Sequence, residues 1–233
     1  MWDSFLFIGL PYITVTLFLG VTIYRSFTGM MSGHRGKWNR TARGDYLWTT
    51  RSTGFFGRAS IGAASLCLHW GVLIVLFAHL IGFIGGAYNL TSWVNFFRWA
   101  GLCGGVLFLY GAMWAFARRV IIPQVKAMST PNDYIVLLFL IVIDGLGLYQ
   151  AAVKLVFGIS YSAGPWLGSI IRFQPEITAI AGAPFINKLH IIVSLLFLAY
   201  FPFTKLVHVF SYPFGYATSR SFVSMRRYVG LKR

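Results

Sequence analysis

Five stretches of this sequence stay apolar long enough to cross a lipid bilayer, and this feature constrains the fold before any motif is considered. A crossing helix needs about 20 residues, and the runs fall at roughly 5–24, 60–84, 94–116, 133–157 and 185–210. Inside hydrocarbon a backbone must satisfy its own hydrogen bonds, so such runs are helices. The expected fold is an all-α membrane protein with five transmembrane helices, residues 1–233 forming one domain. Composition agrees. Of the 233 residues, 57% are hydrophobic and 11% charged, where a soluble domain carries roughly a quarter charged.

Twenty lysines and arginines stand against five acids, a balance that raises nucleic acid as a partner. These bases alternate with apolar runs that a soluble nucleic-acid-binding domain has no means to hide, so nucleic acid is set aside. Their distribution sets orientation instead. Arg25, Arg35, Lys37, Arg40, Arg43, Arg51 and Arg58 lie in the first loop, and Arg118, Arg119 and Lys126 in the third. Lys205, Arg220, Arg226, Arg227, Lys232 and Arg233 follow at the C-terminal end. With five spans all of these fall on one side, which puts the N-terminus outside and the C-terminus in the cytoplasm. The protein is thus expected in the cytoplasmic (inner) cell membrane. Topology and attraction to anionic lipid account for most of the charge. The first loop exceeds what joining two helices requires, which marks the cytoplasmic face as a docking surface, and His34 within it is an ordinary loop residue.

The two cysteines, Cys67 and Cys103, lie in apolar runs as small core residues. No CxxCH occurs, so covalent c-type haem attachment is excluded. The N-terminal run lacks a basic leader and reads as a retained first span.

Four of the five histidines bracket two apolar segments, HWGVLIVLFAH (His69 to His79) and HIIVSLLFLAYFPFTKLVH (His190 to His208). Intramembrane histidines are costly to bury and point to function. Span two runs outward and span five inward, so depth pairs His79 with His190 and His69 with His208, as two stacked sites. Two imidazoles without a neighbouring carboxylate or thiolate suit a bis-histidine haem iron, whereas zinc wants a third or fourth protein ligand. Each ligand's second ring nitrogen then needs an acceptor such as a backbone carbonyl. Glycines at 71, 82, 101, 104 and 105 suit a flat macrocycle, or equally close helix packing. The two spacings rise about 15 Å and about 27 Å along a helix. Unequal tilt, a kink at Pro202, or a His208 that reaches back from its helix end absorbs the difference. The bland reading is a set of interhelical hydrogen bonds. Four histidines on two antiparallel spans favour haem.

The stretch LHIIVSLLFLAYFPFTKLVHVFSYP resembles the last helix of the respiratory nitrate reductase gamma subunit family, membrane dihaem cytochrome b anchors. LHWGVLIVLFAHLIGF resembles that family's second helix and ARRVIIPQVKA the basic exit of its third. The resemblance spans nearly the whole chain and implies a single dihaem cytochrome b bundle with two b haems. Their axial ligands fall on His69 and His208 (inner) and on His79 and His190 (outer). It also implies an electron-transfer subunit that oxidises quinol near the outer haem. Electrons would pass through the inner haem to a cytoplasmic iron–sulfur subunit and a molybdenum catalytic subunit that reduces nitrate, which this chain cannot do alone. Arg118 and Arg119 become possible contacts of haem propionates, though topology alone also puts them there.

The sequence departs from the family where quinol is expected. Ala78 replaces a glycine before the outer ligand, and TSWVNFFRW holds no lysine, only Arg98. Ala78, His79 and Arg98 are the quinol-pocket candidates. Similar dihaem subunits serve other oxyanion reductases and sulfur-metabolism complexes, which stands as the alternative. A haem-free anchor or a transporter with histidine proton relays is the alternative of a different class, without the internal repeat such transporters often show. Asp144, in LIVIDGLGLYQ, lies mid-span, where it can carry a proton or accept a hydrogen bond.

Overall fold

The computed structural model describes residues 2–34, 61–88, 90–158, 161, 163–207 and 209–210. Five helices are long and apolar enough to cross a membrane. They are α1 (Leu10–His34), α2 (Gly62–Ala87), α3 (Thr91–Ile121), α4 (Pro131–Phe157) and α5 (Phe185–Tyr200). No strand occurs among the described residues. Large apolar side chains lie on the outside, as with Leu76 and Leu80 at 61% and 58% exposed, a surface that only lipid covers at low cost.

The chain divides into two units, residues 1–16 with 53–199 and residues 17–52 with 200–233. In the first, α1 is preceded by a π-helical turn, Phe5–Gly9, and the cause is local. Pro11 has no N–H to offer the Phe7 carbonyl, and its ring crowds that oxygen. The indole Nε1–H of Trp166 donates to it instead, at 2.9 Å, and the Phe7 and Trp166 rings meet edge to face. Trp166 belongs to a short helix, Gly164–Ile171, in the connection between α4 and α5. With Ile170, Ile180 and Ala183 these two aromatics form a buried cluster. The connection between α4 and α5 is therefore partly helical. Tyr12 seals it by donating to the Ile170 carbonyl and stacking on Phe173, and Tyr161 donates to Ala179.

The remaining turns follow local rules. Proline opens α4, the Asp133 carboxylate accepts from the Thr130 N–H and hydroxyl, and Gly158 closes the helix at φ 71°. Helices α2 and α3 cross at backbone contact. A Cβ on Gly71 would lie 2.4 Å from the Phe108 nitrogen, and one on Gly111 would lie 2.6 Å from the Ala64 carbonyl.

In the second unit, α5 ends at Tyr200, short of 210, and the chain continues in 3₁₀ turns Phe201–Phe203 and Lys205–Val207. Pro202 is the reason, because it can neither donate nor let the preceding residues stay helical. The buried Arg25 guanidinium donates to the Pro202 and Thr204 carbonyls, which a finished helix leaves without donors. Phe18, Phe201 and Phe210 pack edge to face around this end.

Candidate functional site

A histidine on a helix has one acceptor always within reach, the carbonyl one turn back. His79 Nδ1–H donates to the Val75 carbonyl at 2.7 Å, and His69 Nδ1–H to the Ser65 carbonyl at 2.7 Å. A carbonyl only accepts, so each contact puts the proton on Nδ1 and leaves Nε2 with its lone pair. That is the form a metal takes.

His190 is held differently. Its ring lies against Gly147 of α4, with Cε1 3.3 Å from where a Cβ would stand. Its Nδ1 is buried and lacks a hydrogen-bond partner, and the nearest backbone interaction is with Ile143. One turn along, the Asn187 amide donates to Gln150 at 2.6 Å and ties α5 to α4.

The structure brings His79 and His190 together. Their ring centres are 6.4 Å apart and their planes differ by 11°, too far for direct stacking contact. Metal–imidazole bonds of about 2.0–2.1 Å on each side, plus half a ring at each end, separate two ring centres by roughly 6 Å. A separation of that size is what two imidazoles on one metal atom would have. Among the described residues no group of three or more His, Cys, Asp or Glu is arranged for a metal, so the remaining ligands would have to come from a group such as a macrocycle. The Nδ1 of His190, buried without a partner, is a nitrogen that still needs one, which for a metal-bound histidine is an acceptor.

Heights along the helices follow from the α2–α3 crossing. Gly101 faces Ala78, Gly104 faces Ile74, and Gly111 faces Leu68. His79 and His69 are thus at two separate levels. His208, the expected partner of His69, lies outside the described residues, as do the first loop from 35 to 60 and the basic tail from 211.

The other candidates are dispersed. Ala78 is buried against α3. Arg98 donates to Asn95 at 3.4 Å near the start of α3. Arg119 is tied into the α3–α4 turn, donating to Ser129 at 2.9 Å and pairing with Asp133 at 3.8 Å, while Arg118 beside it is buried. Of the glycines, Gly71, Gly104 and Gly111 serve the α2–α3 crossing, and Gly82 faces open space. Gly147 is the residue that sequence reasoning missed. Its signal was the GLG of IDGLGLYQ, one step from an intramembrane acid.

A family model described as nitrate reductase gamma subunit matches residues 30–228. The nitrate reductase gamma chain of Bacillus subtilis (strain 168) is 28% identical over 228 residues, covering 94% of this chain and 95% of that one. The respiratory nitrate reductase 2 gamma chain of Escherichia coli (strain K12) is 30% identical over 204 residues, 79% of this chain and 86% of that one. An Hdr-like menaquinol oxidoreductase cytochrome b-like subunit of Archaeoglobus profundus is 23% identical over 155 residues, 62% and 45% of the two chains. With five apolar helices and a family match along most of its length, this multi-pass cell-membrane protein belongs to the nitrate reductase gamma subunit family.

Proposed function

We propose that the chain is a single dihaem cytochrome b domain with its N-terminus outside. It takes electrons from quinol near the outer face and delivers them to a cytoplasmic iron–sulfur subunit and molybdenum nitrate reductase. The observation that carries this reading is the near-parallel pair of imidazoles, His79 and His190, 6.4 Å apart on α2 and α5. Their Nε2 atoms would hold the outer b haem, and those of His69 and His208 the inner one. Bound haem supplies one-electron redox chemistry. This chain's own work is to fix the imidazoles. Val75 and Ser65 accept the Nδ1 protons of His79 and His69, and Gly147 makes room for the His190 ring. Ala78, His79 and Arg98 are the residues for quinol, with Arg98 as the cation on that side. Arg118 is the candidate for a propionate. Arg119 is engaged with Asp133 and Ser129 and is a weaker one.

A second reading, the same electron conduit in a different quinol-linked complex, is favoured by the relative named as a menaquinol oxidoreductase subunit. Both readings require haem. In the purified full chain, haem assayed per polypeptide should come to two, with low-spin bis-histidine spectra. His79→Ala and His190→Ala should abolish the same spectral component, and His69→Ala the other. Folded protein without stoichiometric haem would sink the proposal, and loss of one shared component in His79→Ala and His69→Ala would overturn the pairing.

A further inference from the structure

Asp144 is an acid inside the membrane-spanning helix α4. It is 6% exposed, and its Oδ2 is buried without a hydrogen-bond partner. Its Oδ1 lies against α3, 3.2 Å from where a Cβ on Gly105 would stand, with Leu148 beside it. The neighbouring glycine, Gly104, faces Ile74 of α2. Ile74 is five residues from His69 (74 − 69) and five from His79 (79 − 74), about 7.5 Å of helical rise either way. Asp144 therefore stands between the two histidine levels of α2, within one helical turn of the contact between Gly147 and His190.

Among the described residues, the groups that face it supply no cation. On α3 the nearest titratable side chains are Cys103 and Tyr110, both exposed. Arg98 is seven residues from Gly105 (105 − 98) and bonded to Asn95, and Arg118 and Arg119 lie further still in the other direction. From α5, His190 rests on Gly147, three residues along α4 from Asp144, and Lys188 donates to the Ala181 carbonyl. Burying a carboxylate as the anion is costly unless a positive charge faces it. The charge missing from the site is one that haem brings, since each ferric centre is more positive by one unit than its ferrous form, and low polarity strengthens such a field.

We propose that Asp144 is a redox-linked proton site, ionised when the haems are oxidised and protonated when they are reduced. This rests on the dihaem reading. When bound haem takes up an electron, supplied by quinol in the proposed function and by the mediator in a titration, the Asp144 carboxylate would gain one proton from the solvent and form an O–H bond. Oxidation returns both. The site couples the haem pair to pH without touching quinol.

The test is a mediator-poised spectroelectrochemical titration of the full haem-loaded chain in detergent at several pH values. Proton uptake on reduction makes reduction easier in acid, so midpoint potentials should fall as pH rises. Asp144→Asn should lose that slope with both haems still bound, and Asp144→Glu should keep it over a displaced pH range. A slope unchanged in Asp144→Asn, or absent from the unsubstituted chain, overturns the proposal while leaving the haems in place. A folded chain without haem overturns the dihaem reading itself. Should Asp144→Asn fail to assemble, the redox difference infrared spectrum of the unsubstituted chain decides. A protonated-carboxyl band that appears on reduction, shifts in D₂O and moves in Asp144→Glu supports the proposal, and its absence overturns it.

Discussion

Two helix contacts in this protein depend on glycine, and they use it for different ends. Where α2 crosses α3, Gly71 and Gly111 let backbone meet backbone, with the Phe108 nitrogen 2.4 Å and the Ala64 carbonyl 2.6 Å from a hypothetical Cβ. Where α5 meets α4, Gly147 makes room for an imidazole, and the nearest atom is 3.3 Å away on the His190 ring. The first contact is architecture, the close approach that replaces the hydrophobic effect between helices in lipid. The second seats a side chain. Nothing in the local sequence separates the two, because both are small residues on an apolar helix. What separates them is the atom across the gap, immovable backbone in one case and a side chain with some freedom in the other.

Substitution with alanine puts this contrast to the test. Gly71→Ala and Gly111→Ala should have the largest effect. Overpacking costs about 1–3 kcal/mol where neighbours yield, and backbone yields least, so each variant should lose most of its thermal midpoint or fail to accumulate in membranes. An unchanged midpoint would mean that α2 and α3 do not cross so closely. Gly147→Ala should cost less, about 1 kcal/mol, because a ring moves by a few tenths of an ångström more readily than a helix does. Its signature should be spectral, with the band and potential of the outer component displaced and the inner unchanged. A change in both components, or in neither, would break the assignment of Gly147 to His190. Gly82, with nothing within 4 Å, should be indifferent. Its alanine variant should stay within about 0.5 kcal/mol of the parent by the same melt.

Much of this architecture could be read in advance. The five spans were legible because a lipid-facing helix must be apolar all round, a signal that needs no knowledge of neighbours. The tautomers of His69 and His79 were equally accessible, since a helix always offers the carbonyl one turn back. The end of α5 was not read so well. Apolar residues run on to 210, but helix stops at Tyr200 because Pro202 follows, and hydropathy does not register a missing N–H. The connection between α4 and α5 carries a helix that hydropathy does not announce. Its helix is held by Trp166 reaching the Phe7 carbonyl, a bond between residues 159 apart in the chain that Pro11 makes necessary.

The sequence by itself determined five helices long and apolar enough to cross a membrane, and a spacing that sets His69 and His79 at two levels of α2. Both are consequences of solvent and of helical rise, which act on each segment alone. Only the tertiary structure decided that His190 would rest on Gly147, that Arg119 would be engaged by Asp133, and that Asp144 would lie between the histidine levels facing a glycine. Those outcomes depend on which helix faces are turned together. In lipid the exposed and contacting faces are equally apolar, so the pattern along one helix does not record them.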